Sequence, residues 1–312
     1  MMRHATFRQL EVFEAIARLG NFTRASEELH LTQPTVSMQM KKLADAVGLP
    51  LFEQVGRQMQ LTDAGRELAA TARAVLQLLE NHDMAIAEMQ GLRKGKLRLT
   101  VSTTAKYFAP RMLGEFSAMH PGIEVSLKVT NRQKVLERAL ENLDDLYIYC
   151  MAAPELDLVA RPFLENSMVV LAYPGHPLAG QRNIPIARLA EEPFLMREVG
   201  SGTRQMVEQV FSAHGIKPNE RMELGSNEAI KQAILGKLGI SVLSRHTLGE
   251  GGNEPVVLDV EGFPLVRQWH IAYPNGKQLS VVARAFLAYL WDHVITAEDG
   301  AALAAARIDG RG

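Results

Sequence analysis

Two kinds of stretch in this chain carry side chains suited to recognition. The first is residues 31–43, LTQPTVSMQMKKL. Thr32, Gln33, Pro34, Thr35, Ser37 and Met38 open a helix pattern whose apolar positions are Val36, Met40 and Leu43. A helix tip of this kind offers what base edges ask for. Gln33 can pair with adenine, Thr35 and Ser37 can donate or accept, and Met38 can lie against a thymine methyl. Gln39 and Lys42, farther along, suit phosphates. The second kind recurs where a strand gives way to a helix. Ser102, Thr103 and Thr104 follow LRLTV, while Thr130, Asn131 and Arg132 follow IEVSLKV. Gly200, Ser201, Gly202, Thr203 and Arg204 open TRQMVEQVF, and Ser226 with Asn227 opens a further helix. Free backbone N–H groups and the helix dipole favour an anion at such starts. Arg132 or Arg204 could grip a carboxylate or phosphate with two donors, and the glycines of GSGTR let backbone approach a ligand. Hydroxyls at helix starts are often only caps. Three such starts at the carboxyl ends of strands make a binding cleft for a small anion the alternative.

Reaction chemistry has less support. GSGTR lacks the Gly-Lys-Ser/Thr ending of a nucleotide phosphate loop, and neither a Gly-x-Ser-x-Gly elbow nor a His-Glu-x-x-His helix occurs. Ser201 and His214 fall on one helix, too far apart to pair. His82 has no second histidine or acidic cluster beside it, so no metal site is expected. Cys150 is the single cysteine, which rules out an internal disulfide framework and a cysteine zinc cluster; it is expected to be buried and inert. No enzyme is expected.

The elements that position these residues follow from periodicity. Phe7, Leu10, Val12, Phe13, Ile16, Ala17 and Leu19 make an apolar stripe over residues 5–19, closed by Gly20. Asn21 and Thr23 can cap a second helix running to Leu29, with Ala25 and Leu29 inward. Thr32 caps the third, Pro34 sits in its first turn, and Gly48 ends it. Two short helices, a tight turn and a longer helix make a helix-turn-helix, and Thr23 joins the expected DNA contacts. PLFEQVGRQMQLT then alternates about a turn at Gly56, a two-stranded wing with Arg57 at its tip. Residues 63–90 form a further helix, about 42 Å long. Leu68, Ala72, Val75, Leu79, His82, Ile86 and Met89 step along it by alternate fours and threes, a heptad seam that predicts a dimer. Recognition helices in such a dimer would lie about 34–36 Å apart on a pseudo-palindrome.

GLRKGK breaks that helix at Gly91 and Gly95. Strands then alternate with helices, the pattern of a parallel α/β sheet, with the chain crossing between two lobes near 162–168 and back near 264–268. The expected division is 1–62 winged helix-turn-helix, mainly α; 63–91 linker and dimerisation helix; 92–96 hinge; 97–163 with 267–296 effector lobe I; 164–266 effector lobe II; and 297–312 a flexible tail. The 312 residues carry a net charge of −1, and residues 1–62 hold seven Lys or Arg against six Asp or Glu, so a DNA contact must rest on a local patch. No long apolar run and no signal-peptide pattern occurs, which predicts a cytoplasmic protein without a membrane partner.

Residues 8–68, with ASEELHLTQPTVS, VGLPLFE and LTDAG, resemble the N-terminal module of the LysR-type transcriptional regulators without a gap. Thr35 stands where alanine is common and Met38 where arginine is common, which removes a guanine reader. The two lobes are similar to that family's effector domain, which is built like a periplasmic binding protein with its ligand between the lobes. The resemblance implies double-stranded operator DNA, self-pairing into dimers and dimers of dimers, a small anionic effector and RNA polymerase as partners. TTAKYFAPRMLGEFSAMHPGIEVSLKVTNRQKVLERALENLDDLYI, PFLMREVGSGTR and SNEAIKQAILGKLGISVLSRHTL are similar to the subgroup that regulates RuBisCO operons. That implies control of carbon-fixation genes, no resident cofactor, and a phosphorylated metabolite or NADPH as effector. DDLYIYCMAAPELDL departs from the usual glycine and paired prolines at the cleft's border. The alternatives are a LysR-type regulator of another pathway, such as aromatic catabolism or sulfur or nitrogen assimilation, and a solute-binding protein or enzyme carrying a helical N-terminal module.

Overall fold

The computed structural model describes residues 5–55, 58–89, 94–151, 153–249 and 254–295. They form an N-terminal unit and a larger second unit.

The N-terminal unit begins with α1 (Phe7–Leu19), α2 (Phe22–Glu28) and α3 (Gln33–Val47). Thr6 opens α1 in a capping box, its Oγ1 accepting from Gln9 N at 3.2 Å while Gln9 Oε1 accepts from Thr6 N at 2.8 Å. Gly20 and Gly48 end α1 and α3 in the left-handed region, at φ 63° and 81°, where a side chain would be strained. Asn21, not Thr23, caps α2, its Oδ1 accepting from Arg24 N. Phe13, Ile16, Ala25, Val36 and Leu43 share one buried cluster. Phe7, expected on the inward stripe, is exposed and takes no part in that cluster. Strands β1 (Phe52–Val55) and β2 (Gln58–Leu61) pair antiparallel as the wing. The Phe52 ring anchors it, 5.4 Å from that of Phe13 and 5.9 Å from that of Phe22.

Helix α4 (Asp63–Met89) follows, with Thr62 Oγ1 accepting from Gly65 N at 3.0 Å and donating to Pro50 O at 2.7 Å. Leu68, Ala69 and Ala72 complete the N-terminal cluster. Beyond them Leu79, His82 and Ile86 are exposed, as is Leu78. No helix among the described residues is long and apolar enough to cross a membrane.

The second unit holds β3 (Gly95–Ser102), α5 (Ala109–Met119), β4 (Ile123–Thr130), α6 (Arg132–Leu140), β5 (Leu146–Cys150), β6 (Leu158–Ala172) and β7 (Pro193–Arg197). It continues through α7 (Gly202–Ala213), β8 (Asn219–Leu224), α8 (Asn227–Leu235), β9 (Ser241–Ser244), β10 (Val256–Leu258), β11 (Leu265–Pro274) and α9 (Val281–Tyr289). The main sheet runs β10-β6-β11-β5-β3-β4 with β9 also beside β6, and β7 and β8 form a parallel pair. β3 is parallel to β4 and β5, and β3 and β5 are buried on both faces, as parallel strands with covered faces are. β6 and β11 pair antiparallel from Leu265↔Met168 to Pro274↔Leu158, with an irregularity between Trp269 and His270. These two strands join a half built on β3–β5, α5, α6 and α9 to a half built on β7–β10, α7 and α8.

Several local expectations shift. Of the expected hinge at 92–96, residues 92 and 93 lie outside the described residues, and Gly95 and Lys96 open β3, Gly95 pairing with Ile123. Residues Thr103–Tyr107 form a tight 3-10 turn after β3, and α5 starts only at Ala109, with Pro110 in its first turn. β8, NERMEL, gave no alternation to read: five of its six residues are exposed. β10 is three residues long. The expected tail, 297–312, lies outside the described residues.

Candidate functional site

In the N-terminal unit, α3 buries Val36, Met40 and Leu43, so its opposite face is turned outward. Thr32, Gln33, Pro34, Ser37, Met38 and Lys42 are exposed there, and Thr35 and Gln39 are half-buried. Met38 is 50% exposed, so its apolar side chain is available at the helix tip. Thr32 holds the cap position, but its hydroxyl makes no cap bond to the backbone. It sits 2.8 Å from Thr35 Oγ1 instead. The first-turn N–H groups of α3 are thus not capped by Thr32. Lys41 and Lys42 have no ion-pair partner among the described residues. Thr23 is exposed on α2 and accepts from Ser26 Oγ through its carbonyl. Arg57 lies outside the described residues.

In the second unit a cleft opens between the two halves. Ser102, Thr103, Thr104, Asn131 and Arg132 reach it from the first half, and Ser201, Gly202 and Thr203 from the second. The hydroxyls divide into two sets. Thr103 Oγ1 donates to Thr130 O at 3.0 Å, and Thr104 Oγ1 accepts from Asn227 Nδ2 at 3.1 Å. Ser102 and Ser201 each precede a helical turn, yet neither side chain caps it, and neither their hydroxyls nor that of Thr203 has a hydrogen-bond partner among the described residues. Ser102 is 7% exposed and Ser201 5%. Capping, the bland role for such residues, is therefore not what these hydroxyls do.

Three of the expected ligand residues stand elsewhere. Arg204 does not line the cleft. Its guanidinium lies among Glu208, Glu220 and Glu223, with Nη1 2.7 Å from Glu223, because α7 turns that face toward β8. Ser226 is a helix cap, accepting from Ala229 N. Thr130 offers only its carbonyl, to Thr103. The glycines of GSGTR also have another purpose. A Cβ on Gly202 would lie 3.0 Å from Arg132 Cδ, and one on Gly200, at φ +85°, would lie 2.7 Å from Gln133 Oε1. They let the segment pack against the start of α6, and Gly200 O accepts from Gln133 N at 3.1 Å. The close approach is protein on protein.

The floor is made by residues that sequence reading missed. Arg267 pairs with Asn166, and Trp269 with Leu164 on one side and Cys150 on the other. Directly paired residues share a face, so Cys150, Asn166, Met168, Arg267 and Trp269 all line the cleft. Alternation in VRQWHIAY puts Arg267 and Trp269 on one face, but only the pairing register shows which face. Arg197, 2% exposed, also lines the cleft, held by both Glu198 oxygens and by Asn227 Oδ1. That charge is compensated within the protein. Arg267 donates to Val266 O at 3.0 Å and has no carboxylate partner among the described residues. Arg132 donates to Cys150 O and Met151 O, both at 3.2 Å, and lies 5.8 Å from the Tyr149 ring centre. Burial lowers its guanidinium pKa. Cys150, far from being remote, is in the wall. Burial pushes its thiol up despite a hydrogen bond from Asn166 Nδ2 at 3.2 Å. The site thus offers a compensated and an uncompensated arginine, spare hydroxyls and helix starts, a set that fits an anion of a few atoms.

Residues 7–66 match the family model described as "Bacterial regulatory helix-turn-helix protein, lysR family", and residues 90–294 match "LysR substrate binding domain". The chain belongs to the LysR family of transcriptional regulators. It is similar to the HTH-type transcriptional activator CmpR of Synechocystis, at 53% identity over 94% of this chain and 97% of that one. It is also similar to the RuBisCO operon transcriptional regulator of Acidithiobacillus ferrooxidans, at 45% identity over 97% and 98%. The regulatory domain of Synechocystis CcmR, solved in complex with 2-PG, matches with a TM-score of 0.63 at 54% identity, over 64% of this chain and 98% of that one.

Proposed function

We propose that this regulator controls carbon-fixation genes, binding their operator DNA through the exposed tip of α3 and answering to a small phosphorylated anion in the cleft. The observation that carries the cleft reading is the set of unspent hydroxyls, Ser102, Ser201 and Thr203, gathered from both halves around Arg267. An anion there would meet hydrogen-bond donors and positive charge without a carboxylate to displace. The 2-PG complex of the CcmR regulatory domain supports a ligand of this class, and the RuBisCO operon regulators among the relatives support the target genes. The protein acts by binding, without a resident cofactor, in the cytoplasm, and RNA polymerase is the machinery it addresses at the promoter.

The exposed apolar row of α4, Leu78, Leu79 and Ile86, supports pairing of two chains through that helix, so that two α3 tips meet one pseudo-palindromic operator. Effector and operator are then linked: whatever the ligand does to DNA affinity, DNA must do to ligand affinity.

Thermal denaturation of the full chain with 2-PG, NADPH or inorganic phosphate tests the cleft. A ligand at a hundred times its Kd should raise Tm by roughly 5–10 °C. Footprinting upstream of RuBisCO genes, with and without that ligand, tests the target. No protection there, with protection elsewhere in the same genome, would assign the regulator to another pathway.

A further inference from the structure

The cleft reading leaves one buried donor unexplained. The Trp269 indole Nε1 is buried and has no hydrogen-bond partner among the described residues, and the residue is 1% exposed. An indole N–H only donates, and leaving such a group buried and unpaired costs folding free energy. Asn142 Oδ1, Tyr149 Oη and His270 Nδ1 share that condition, but their residues do not line the cleft; Trp269 does. Its ring is set by two neighbours. It stands opposite Cys150 in the ladder, on the cleft face, and meets the Phe108 ring edge-on at 5.2 Å between centres. Phe108 directly follows the turn that carries Ser102, Thr103 and Thr104.

We infer that Trp269 is a specificity-determining residue of the effector site, its indole N–H donating to an acceptor oxygen of the bound anion at the cleft floor. The inference rests on the cleft being the effector site. It adds a neutral donor to the charge of Arg267. A donor that cannot also accept selects for a ligand with an acceptor at that depth, and it leaves an apolar ligand of the same size with an unpaired N–H to bury.

The chain has two tryptophans, so Trp291→Phe leaves Trp269 as the sole indole. In this full-length variant, labelled with 15N on the indole nitrogen, 2-PG should move the Trp269 N–H resonance downfield and slow its exchange with water. Both changes should follow the same titration curve as the heat of binding. Trp269→Phe keeps a ring against Phe108 but removes the donor, and should weaken 2-PG by about tenfold, the scale of one hydrogen bond to a charged acceptor. Heat of binding with an unmoved indole resonance would overturn the inference alone, and would place the N–H against the Phe108 ring. No binding of 2-PG, NADPH or inorganic phosphate by either measurement would overturn the effector-site reading and this inference with it. If Trp269→Phe fails to fold, the resonance in the Trp291→Phe protein still decides.

Discussion

Asn227 Nδ2 donates to Thr104 Oγ1 at 3.1 Å, so a side chain at the start of α8 is tied to the turn that follows β3. The same Asn227 accepts from Arg197. Its neighbour Glu228 takes hydrogen bonds from Lys106 and Tyr107 on that turn. Burial, aided by Glu228, holds the Tyr107 phenol above its usual range, so it remains a donor at any physiological pH. One helix start thus clasps the opposite half beside the cleft.

Replacing Asn227 by alanine strands Arg197 Nη1 and Thr104 in a buried setting. The expected cost is about 1–3 kcal/mol, read as a lower urea midpoint for the second unit with an unchanged m-value. A loss confined to effector response, with full stability, would mean that the clasp contributes nothing to the resting fold.

Ser102→Ala and Thr203→Val remove unspent hydroxyls and should each weaken the effector several-fold while leaving ligand-free DNA binding intact. Thr103→Val is a different experiment, because it takes a hydrogen bond from Thr130 O and should cost stability as well. Calorimetric titration and a band-shift assay on the same preparations separate the two outcomes.

On α3, Gln33→Ala should reduce discrimination between operator and mutated operator by about 1–3 kcal/mol. Lys42→Ala should instead weaken all duplexes alike and lower the slope of log affinity against log salt by about 1. Equal discrimination by wild type and Gln33→Ala would remove Gln33 from the base-reading set.

Gly65→Ala would place a Cβ 2.1 Å from Leu51 O, a backbone atom that cannot swing aside. The entry to β1 must move from the start of α4, so the wing should lose its register and the N-terminal unit its thermal stability, by circular dichroism. A stable Gly65→Ala protein would contradict the described packing.

Lys277 gives a pH signature. Burial lowers its pKa to about 8, against the opposing pull of Asp145 and Asp144. Between about 8 and the ordinary lysine value the unfolded chain binds the proton and the folded chain does not. Stability from this group therefore rises with pH through that window, and below it the charge is a burden to the fold. The difference in Tm between wild type and Lys277→Met should shift in favour of wild type from pH 8 to pH 10. A flat difference would indicate that the ammonium reaches water.

The fold was legible wherever one-dimensional pattern decides burial. The 3.6-residue stripe of α1, the glycines ending α1 and α3, and the alternation of strands with helices all report local geometry, and the LysR family followed from contiguous residues 8–68. The cleft was legible only in part. Ser102, Thr103, Asn131 and Ser201 follow strand ends, a position visible in sequence, and the structure gathers them. Arg267, Trp269 and Asn166 lie within β11 and β6, where their face depends on pairing more than a hundred residues apart in the chain. Arg204 misled because its partners, Glu220 and Glu223, sit on β8, a strand with no periodic signal.

The long pairing of β6 with β11 has a consequence for how such a sensor can be rebuilt. Because the chain passes through it twice, the half built on β3–β5, α5, α6 and α9 is made of two separated segments, while the half built on β7–β10, α7 and α8 is one continuous insertion between them. Exchanging the first half between two relatives would mean transplanting both of its stretches together, with the ladder between them as the seam that must stay in step.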